Sequence, residues 1–157
     1  MTGTPADEPE AKRIVVGVDS SEESILALRW AVEQASLTGA VVEAVMAWDF
    51  PPHNGILGRI PWTAESLAGD VAAEALADAI MKAVGAEPPV DIRAKVVFGS
   101  PAKVLVKASA DAEHLVVGNR GRGSLAGELM GSVSLVCAHH AHCPVTIIHG
   151  ERYGSGS

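Results

Sequence analysis

Apolar runs alternate with segments of helical periodicity along most of the chain. The runs are continuous and rich in β-branched residues, which is typical of strands buried on both faces of a parallel sheet. Five strands are predicted, at Arg13–Val18, Ala40–Trp48, Val90–Phe98, Glu113–Gly118 and Pro144–His149. Four helices are predicted between them, over about 20–38, 62–84, a short stretch opening at Pro101, and 131–141. This alternation predicts a single α/β domain.

Local signals indicate where the helices begin and end. Ser20 and Glu23 have the spacing of a capping box at the start of the first helix, and Gly39 is expected to end it. Ser100 and Pro101 occupy the N-cap and first helical positions of the third helix. The second helix carries an apolar stripe that is expected to face the core, formed by Leu67, Val71, Leu76, Ile80 and Val84.

The order of the strands determines where a ligand would bind. Right-handed crossovers favour an open five-stranded parallel sheet in the flavodoxin-like order 3-2-1-4-5, with helices on both faces. Ligands of such sheets bind beyond the carboxyl ends of the strands, where the strand order reverses. That point lies between strands one and four, so the loops after Val18 and Val117 are expected to carry the site.

Composition limits the classes of function. The 157 residues include 12 Lys and Arg against 19 Asp and Glu, and the net charge of −7 argues against a nucleic-acid or anionic-membrane partner. Two cysteines fit a reducing compartment, and no apolar run approaches the length of a membrane span. We therefore expect one cytoplasmic domain over 13–150, with a disordered lead-in at 1–12 and a disordered tail at 151–157.

The loop after the fourth strand has the composition of an oxyanion cradle. Five of residues 118–131 are glycine, which lets backbone N–H groups approach a phosphate closely. The helix that follows offers unsatisfied N–H groups and the positive end of its dipole. Arg120 and Arg122 add cations, and Ser132 and Ser134 can add hydroxyl donors. The loop is therefore interpreted as a phosphate site.

Asp19, at the end of the first strand, has two possible roles. Its carboxylate could bond to ribose hydroxyls or help to hold Mg²⁺ beside phosphates. It could instead satisfy N–H groups at the start of the first helix. Because Ser20 already supplies a cap, we favour the ligand role.

Several other patterns carry less weight. The dinucleotide fingerprint Gly121-x-Gly123-x-x-Ala126 lies in the wrong loop and lacks the acidic residue expected about 20 positions further on. A P-loop and a nucleophile elbow are both absent, so no catalytic residues are assigned. One cluster does not fit the common zinc spacings and is interpreted as structural: Cys137, His139, His140, His142 and Cys143.

The proline-rich loop 49–61 is long for a connection between a strand and a helix. It is therefore a candidate lid or binding loop. Trp48 and Trp62 flank it and could contact a base, although packing is the simpler interpretation.

The glycine spacing also resembles that of a known family. Gly118-x2-Gly121-x9-Gly131-Ser132 matches the nucleotide-binding motif of universal stress proteins. Three further segments resemble that family in the right order: Gly17-Val18-Asp19-Ser20, Ala47-Trp48-Asp49 and His142-Cys143-Pro144-Val145. The resemblance covers about residues 12–149. It implies a Rossmann-like fold akin to the adenine-nucleotide α-hydrolases, ATP binding in members that keep the motif, and dimers formed through the last strand.

The resemblance further implies where the site residues lie. The phosphates and ribose would be surrounded by Gly118, Arg120, Gly121, Gly131, Ser132, Val133 and Ser134. Asp19, with Ser20 beside it, would lie on the ribose or metal side, and the adenine would be lined by Val18, Ala47 and Val117. No metal site built by the protein alone is expected, and Mg²⁺ would accompany the nucleotide.

We therefore expect a dimeric, nucleotide-responsive stress regulator that binds ATP and acts on an unidentified protein partner. AMP and cyclic AMP are alternative ligands, and a slow ATPase or adenylylating enzyme is the alternative function. A nucleotide-free scaffold is a further alternative, against which the complete set of glycines argues. The dimer is expected to form by antiparallel pairing of strand 144–149 at the sheet edge, where Val145, Ile147 and Ile148 carry no charge.

Overall fold

The computed structural model describes residues 11–49, 62–119 and 130–150, and for 62–66 it describes the backbone only. Strands and helices alternate through these ranges as predicted. The strands are β1 (Arg13–Gly17), β2 (Val41–Trp48), β3 (Ile92–Phe98), β4 (His114–Gly118) and β5 (Val145–Ile148). The helices are α1 (Glu22–Thr38), α2 (Trp62–Val84), α3 (Pro101–Ala108) and α4 (Ser132–His140). Within the described ranges, no helix is long and apolar enough to cross a membrane.

The five strands form one parallel sheet in the order β3-β2-β1-β4-β5. The predicted fold class and strand order are thus confirmed. Because β1 lies between β2 and β4, the connections leave it in opposite directions and the order reverses there. The carboxyl ends of β1 and β4 are therefore neighbours, which places the two candidate loops side by side.

Each face of the sheet has its own apolar cluster. On the α1/α2 face, the cluster includes Ile14, Val16, Val42, Leu28 and Leu76. On the α3/α4 face, the smaller cluster consists of Val15, Val45, Leu105, Leu115, Val117 and Cys137. Neighbouring residues of β1 belong to different clusters, as expected for a strand covered on both sides.

The apolar stripe predicted for α2 is wrong in its first half. Leu67 and Val71 are 64% and 66% exposed, whereas Ala72, Leu76 and Ala79 are buried. The helix thus presents small alanines to the sheet, which lets it pack closely, and its first large side chains turn away. A prediction based on the largest apolar residues assigns the wrong face of α2 to the core, because it does not count alanine as a core residue.

The buried carboxylate of Glu43 in β2 links that strand to Arg13 of β1 and to Lys95 of β3. Glu43 of β2 is 3% exposed, and its Oε1 accepts from Arg13 Nη1 at 2.8 Å while Oε2 lies 3.1 Å from Lys95 Nζ. The Arg13 guanidinium also donates to the carbonyls of Ala108 and Ala110, at the end of α3. Removing the carboxylate would leave a partly buried guanidinium without its counter-ion.

We expect Glu43→Ala to lower the free energy of unfolding by about 2 kcal/mol, the scale of a hydrogen bond to a charged group. Lys95→Ala is the matched control: the lysine is half exposed, so its loss should cost under about 1 kcal/mol. Urea denaturation of the two variants and the parent measures both values. A loss for Glu43→Ala as small as that for the control would show that the buried guanidinium does not need this carboxylate.

Candidate functional site

The candidate site lies at the carboxyl ends of β1 and β4. Val16 pairs with Val116, so the residues that follow each strand come out next to each other. The Val18 amide donates to Val45 O at 2.9 Å, which continues the β1–β2 pairing, and the Asn119 amide donates to Ile148 O at 2.8 Å. Both loop starts are therefore anchored to their neighbouring strands.

The turn between β1 and α1 is organised by Asp19. Its Oδ1 accepts from the Ser21 amide at 3.0 Å, and Ser20 between them has a φ of 67°. This is a turn in which an aspartate side chain replaces a backbone acceptor. Asp19 therefore bonds to an N–H group of the turn, which is one of the two roles considered for it. Binding of a ligand by Asp19 stays a prediction.

The predicted capping box of Ser20 and Glu23 is wrong. The N-cap is Ser21, whose side chain accepts from the Ser24 amide at 3.2 Å. Ser24 is buried, and its hydroxyl donates to Ser21 O and accepts from the Asp19 amide. The bond from Ser21 to Asp19 turns Ser20 outward and moves the cap one residue along the chain.

Gly118 lies where the first turn of α1 meets the end of β4. A Cβ built on it would be 2.9 Å from the Glu23 Cβ and 3.1 Å from the Glu23 backbone carbon. Glu23 is itself held, because its carboxylate accepts from the Gly150 amide at 2.7 Å. The first glycine of the motif is therefore required by helix packing, whatever else it contacts.

The beginning of α4 is tied to the end of β4 through one carbonyl. Asn119 O accepts from the Gly131 amide and from the Ser134 hydroxyl, each at 2.7 Å. Ser134 is 1% exposed, so this hydroxyl serves the fold rather than an exposed anion site. Gly131 is the N-cap with a φ of −76°, so no positive φ requires glycine there. Ser132, the first helical residue, is exposed.

The helix starts at this edge differ in charge. The first turn of α1 carries Glu22 and Glu23, and the Ser21 side chain caps it. The first turn of α4 has no acidic residue, and no side chain caps it in the part of the chain that the structure describes. The start of α3 also lacks a side-chain cap, but Pro101 removes one of its N–H donors. Of these three helix N-termini, that of α4 is the best suited to bind an anion.

The residues expected to line adenine lie at the ends of neighbouring strands: Val18 follows β1, Ala47 is near the end of β2, and Val117 is near the end of β4. Val18 packs in the α1/α2 cluster and Val117 in the α3/α4 cluster, so their side chains lie on opposite faces of the sheet. They are 4% and 3% exposed, and only a small area of either could meet a base. Ala47 is half-buried, and Val133 packs against the α3/α4 cluster.

Several predicted residues lie outside the described residues, namely Arg120, Gly121 and most of the loop 49–61. Trp48 is described: its ring packs edge-on against Phe98, with centroids 4.7 Å apart, and lies against Gly69 of α2. These contacts account for Trp48 as a packing residue. The side chain of Trp62 is not described.

Sequence reasoning missed two residues that shape the site. Asn119 provides the carbonyl that holds the start of α4, and Glu23 joins α1 to the segment after β5. An asparagine directly after a predicted strand is the signal that the sequence offers for Asn119. Glu23 was singled out only for the predicted capping box, and its bond to Gly150 gave no local signal because the two residues are 127 positions apart.

The cysteine and histidine cluster does not assemble a metal site among the described residues. Burial raises the pKa of the Cys137 thiol to about 11. Burial also raises the pKa of Cys143, and Arg13 opposes that shift. Both thiols therefore stay protonated at neutral pH, which disfavours metal binding and nucleophilic attack.

Strand order and helix placement define a doubly wound α/β domain whose strand order reverses between β1 and β4. The model of the universal stress protein family matches residues 10–149. The chain belongs to this family.

Known relatives agree with this assignment. A universal stress protein of Mycolicibacterium smegmatis is 35% identical over 145 residues, which cover 88% of this chain and 48% of that protein. The chain thus spans about half the length of that relative. The universal stress protein UspA from Lactobacillus plantarum has a TM-score of 0.71 at 25% identity, covering 90% of this chain and 99% of that one. A universal stress protein in complex with cAMP has a TM-score of 0.57 at 27% identity, covering 88% and 97%.

We expect Gly118→Val to lower the free energy of unfolding by about 1–3 kcal/mol, because the new side chain overlaps the backbone of α1. Gly69→Ala is the control: its Cβ would make ordinary contact with Trp48 at 3.6 Å, and alanine favours a helix interior. It should leave stability unchanged or raise it. Thermal unfolding of both variants distinguishes the cases, and an unaffected Gly118→Val would refute the packing role.

Proposed function

We propose that this chain binds an adenine nucleotide at the carboxyl ends of β1 and β4 and acts in the cytoplasm as a nucleotide-responsive dimer. ATP is the leading candidate ligand, and AMP and cyclic AMP are the alternatives. The observation that carries the proposal is the start of α4, which has neither an acidic first turn nor a side-chain cap in the described residues. It adjoins the end of β4 through the Asn119 carbonyl.

The residues present fit a phosphate group. A helix N-terminus offers oriented N–H donors and a positive dipole end to an anion. Ser132 is exposed at the first helical position and can add a hydroxyl, while the motif places Arg120 and Gly121 in the adjoining loop. The relative that is in complex with cAMP, at 27% identity, supports an adenine nucleotide as the class of ligand.

Asp19 would act from the opposite side of the crevice. One carboxylate oxygen already accepts from the Ser21 amide, and a carboxylate has further acceptor capacity. That capacity suits ribose hydroxyls or Mg²⁺ carried by the nucleotide. The residue then combines a turn role with a ligand role, so removing it would affect both folding and binding.

A charge placed at the start of α4 tests the phosphate site. We expect Ser132→Asp to weaken ATP binding by tenfold or more, on the order of 1.4 kcal/mol, because the carboxylate repels phosphate. The same substitution should not lower thermal stability, since an acidic residue favours a helix N-terminus. Ala102→Asp, at the same relative end of α3, is the matched control and should leave affinity unchanged.

Titration calorimetry with ATP, ADP, AMP and cyclic AMP, with and without Mg²⁺, measures these affinities. Chromatography of the nucleotide recovered afterwards separates binding from hydrolysis, since intact ATP supports a sensor and ADP a slow ATPase. Wild-type ATP affinity in folded Ser132→Asp protein would refute the assignment of phosphate to α4.

The proposed dimer uses the free edge of β5. The carbonyls of Pro144 and Ile148 accept from Leu115 and Asn119 of the β4 side, so alternate residues of β5 direct their backbone toward β4. By this alternation, the backbone of Ile147 is directed toward the free edge. Antiparallel pairing with a second copy would satisfy those groups and close the assembly at two.

Ile147→Pro removes one outward N–H group and leaves the bonds to β4 in place. We expect this variant to be monomeric at concentrations where the wild type is dimeric, measured by light scattering. Ile147→Val keeps the N–H and should remain a dimer, and Ile147→Lys provides a second disrupting variant if proline lowers stability. A dimeric Ile147→Pro protein, or a monomeric wild type, would exclude this interface.

A further inference from the structure

A groove runs between α3 and α4 on the outer surface of these helices. Lys103, Val106 and Lys107 have the spacing of residues that share one face of a helix, in this case α3. Val136 and His140 share one face of α4 in the same way. The groove has a volume of about 530 Å³ and is lined by Lys103, Val106, Lys107, Val136, His140 and His142. We call this surface the α3/α4 groove.

Buried contacts fix the shape of the α3/α4 groove. Leu105 of α3 and Cys137 of α4 belong to one buried cluster, so the two helices are packed together. The His142 amide donates to Ser109 Oγ at 2.9 Å, and Ser109 is fully buried. The same hydroxyl donates to the Val106 carbonyl at 2.6 Å. The chain after α4 is therefore held against the end of α3, and the groove forms without a ligand.

The two helical layers of the domain differ in charge. The sequence of α1 carries three glutamates and one arginine, and that of α2 carries four acidic residues and one lysine. The sequences of α3 and α4 contain no acidic residue, and together they carry two lysines and two histidines. The sheet separates the two layers, and at physiological ionic strength exposed charges act over about 8 Å. The acidic residues of α1 and α2 therefore offset little of the positive charge at the groove.

The lysines of the groove are available to a partner. Lys103 and Lys107 are exposed, and neither forms an ion pair in the part of the chain that the structure describes. They are one helical turn apart, about 6 Å along α3. Val106 and Val136 are half-buried and form an apolar wall beside them. An inorganic anion would contact only the lysines, whereas a peptide with acidic and aliphatic side chains would contact both kinds of surface.

An extended acidic peptide matches the spacing of the two lysines. Side chains two positions apart in an extended chain lie on the same side, about 6.5–7 Å from each other. Two carboxylates at that spacing can therefore contact Lys103 and Lys107 together. An aliphatic side chain next to them can pack on the valines, which removes apolar surface from water. A nucleic acid would leave the valines exposed, and the net charge of −7 disfavours it.

We propose that the α3/α4 groove binds an extended acidic segment of a partner protein. Two carboxylates of that segment, two positions apart, contact Lys103 and Lys107, and an aliphatic side chain packs on Val106 and Val136. The inference does not depend on nucleotide binding, because the second half of α4 lines the groove whereas its first turn belongs to the candidate site. Exposed ion pairs are individually weak, so we expect a reversible, salt-dependent contact.

Nuclear magnetic resonance titration of the ¹⁵N-labelled full chain with a synthetic peptide tests the proposal. The probe is the peptide Gly-Glu-Val-Glu-Leu-Gly with both ends blocked. We expect its chemical-shift changes to concentrate on the backbone amides of Lys103, Val106, Lys107, Val136 and His140. Raising the salt to roughly 0.5 M should weaken binding at least about threefold, because exposed charges are screened.

Two further peptides separate the charged contacts from the apolar ones. One has glutamine in place of both glutamates, and the other has glycine in place of the valine and the leucine. Each loses one kind of contact with the groove, so each should bind at least about threefold more weakly than the probe.

Variants of matched charge make the result specific. Lys107→Gln should weaken binding of the probe at least about twofold, and Lys103→Gln with Lys107→Gln at least about fivefold. Lys82→Gln removes the same charge from α2, on the other face of the sheet, and should leave the affinity unchanged. Val136→Thr keeps the shape of the wall but makes it polar, so it should weaken the probe and not the glycine-substituted peptide. Thermal unfolding of each variant verifies that it is folded.

Four results would overturn the proposal. The first is an absence of shift changes in the groove, and the second is equal affinity for the three peptides. The third is displacement of the probe by an equal concentration of inorganic phosphate, which would make the groove a general anion site. The fourth is a carbodiimide cross-link, formed without peptide, from Lys103 or Lys107 to a carboxylate distant in sequence. That link would assign the groove to a segment of this chain or of a second copy.

Discussion

The architecture of the candidate site depends on the close approach of the first turn of α1 to the end of β4. Gly118 allows that approach because it leaves no atom where the backbone of Glu23 lies. The Glu23 carboxylate then accepts from the Gly150 amide, so one residue of α1 contacts the last residue of β4 and the chain after β5. The three connections at this edge of the sheet are held together by packing that a single Cβ would disturb.

The starts of α1 and α4 at this edge differ in what satisfies their N–H groups and in charge. At the start of α1, Ser21 and Asp19 take up N–H groups, and the two glutamates of the first turn balance the helix dipole. The start of α4 is held instead through its amino-terminal glycine amide and a buried serine hydroxyl, both bonded to Asn119 O. The hydrogen bonds that hold the start of α4 are directed toward β4, and its first turn carries no acidic residue. Two helices at one edge therefore have different electrostatic roles.

The topology was predictable because it follows from local patterns. Continuous β-branched runs define strands buried on both faces, and the crossover rule leaves few orders for five of them. The reversal of direction between β1 and β4 follows from that order. Details that depend on contacts distant in sequence were not predictable. Ser20 and Ser21 are equivalent as sequence, and only the bond to Asp19 decides which one caps α1.

The glycine motif shows the same limit in another form. Its spacing indicates a phosphate cradle, but the contact that explains Gly118 is made to Glu23, 95 positions earlier in the chain. Gly131 has an ordinary φ, so conformational freedom does not account for it. The stripe on α2 failed because buried alanines at Ala72 and Ala79 set the packing distance while larger residues faced outward. A sequence motif or an apolar stripe thus identifies the segment of the chain that matters, but the role of each residue in it depends on tertiary packing.

The two ends of the sheet carry different kinds of interaction. At the amino end, the buried Glu43 joins Arg13 and Lys95, and Arg13 also closes the end of α3 through two carbonyls. At the carboxyl end, the turn between β1 and α1 is bonded through Asp19, and the start of α4 is bonded to the end of β4 through Asn119. The charged network lies at the far end of the strands from the crevice, so a change in the loops that face the crevice leaves the ion pairs intact. Loops at the carboxyl end can therefore vary in sequence while the opposite end maintains the fold.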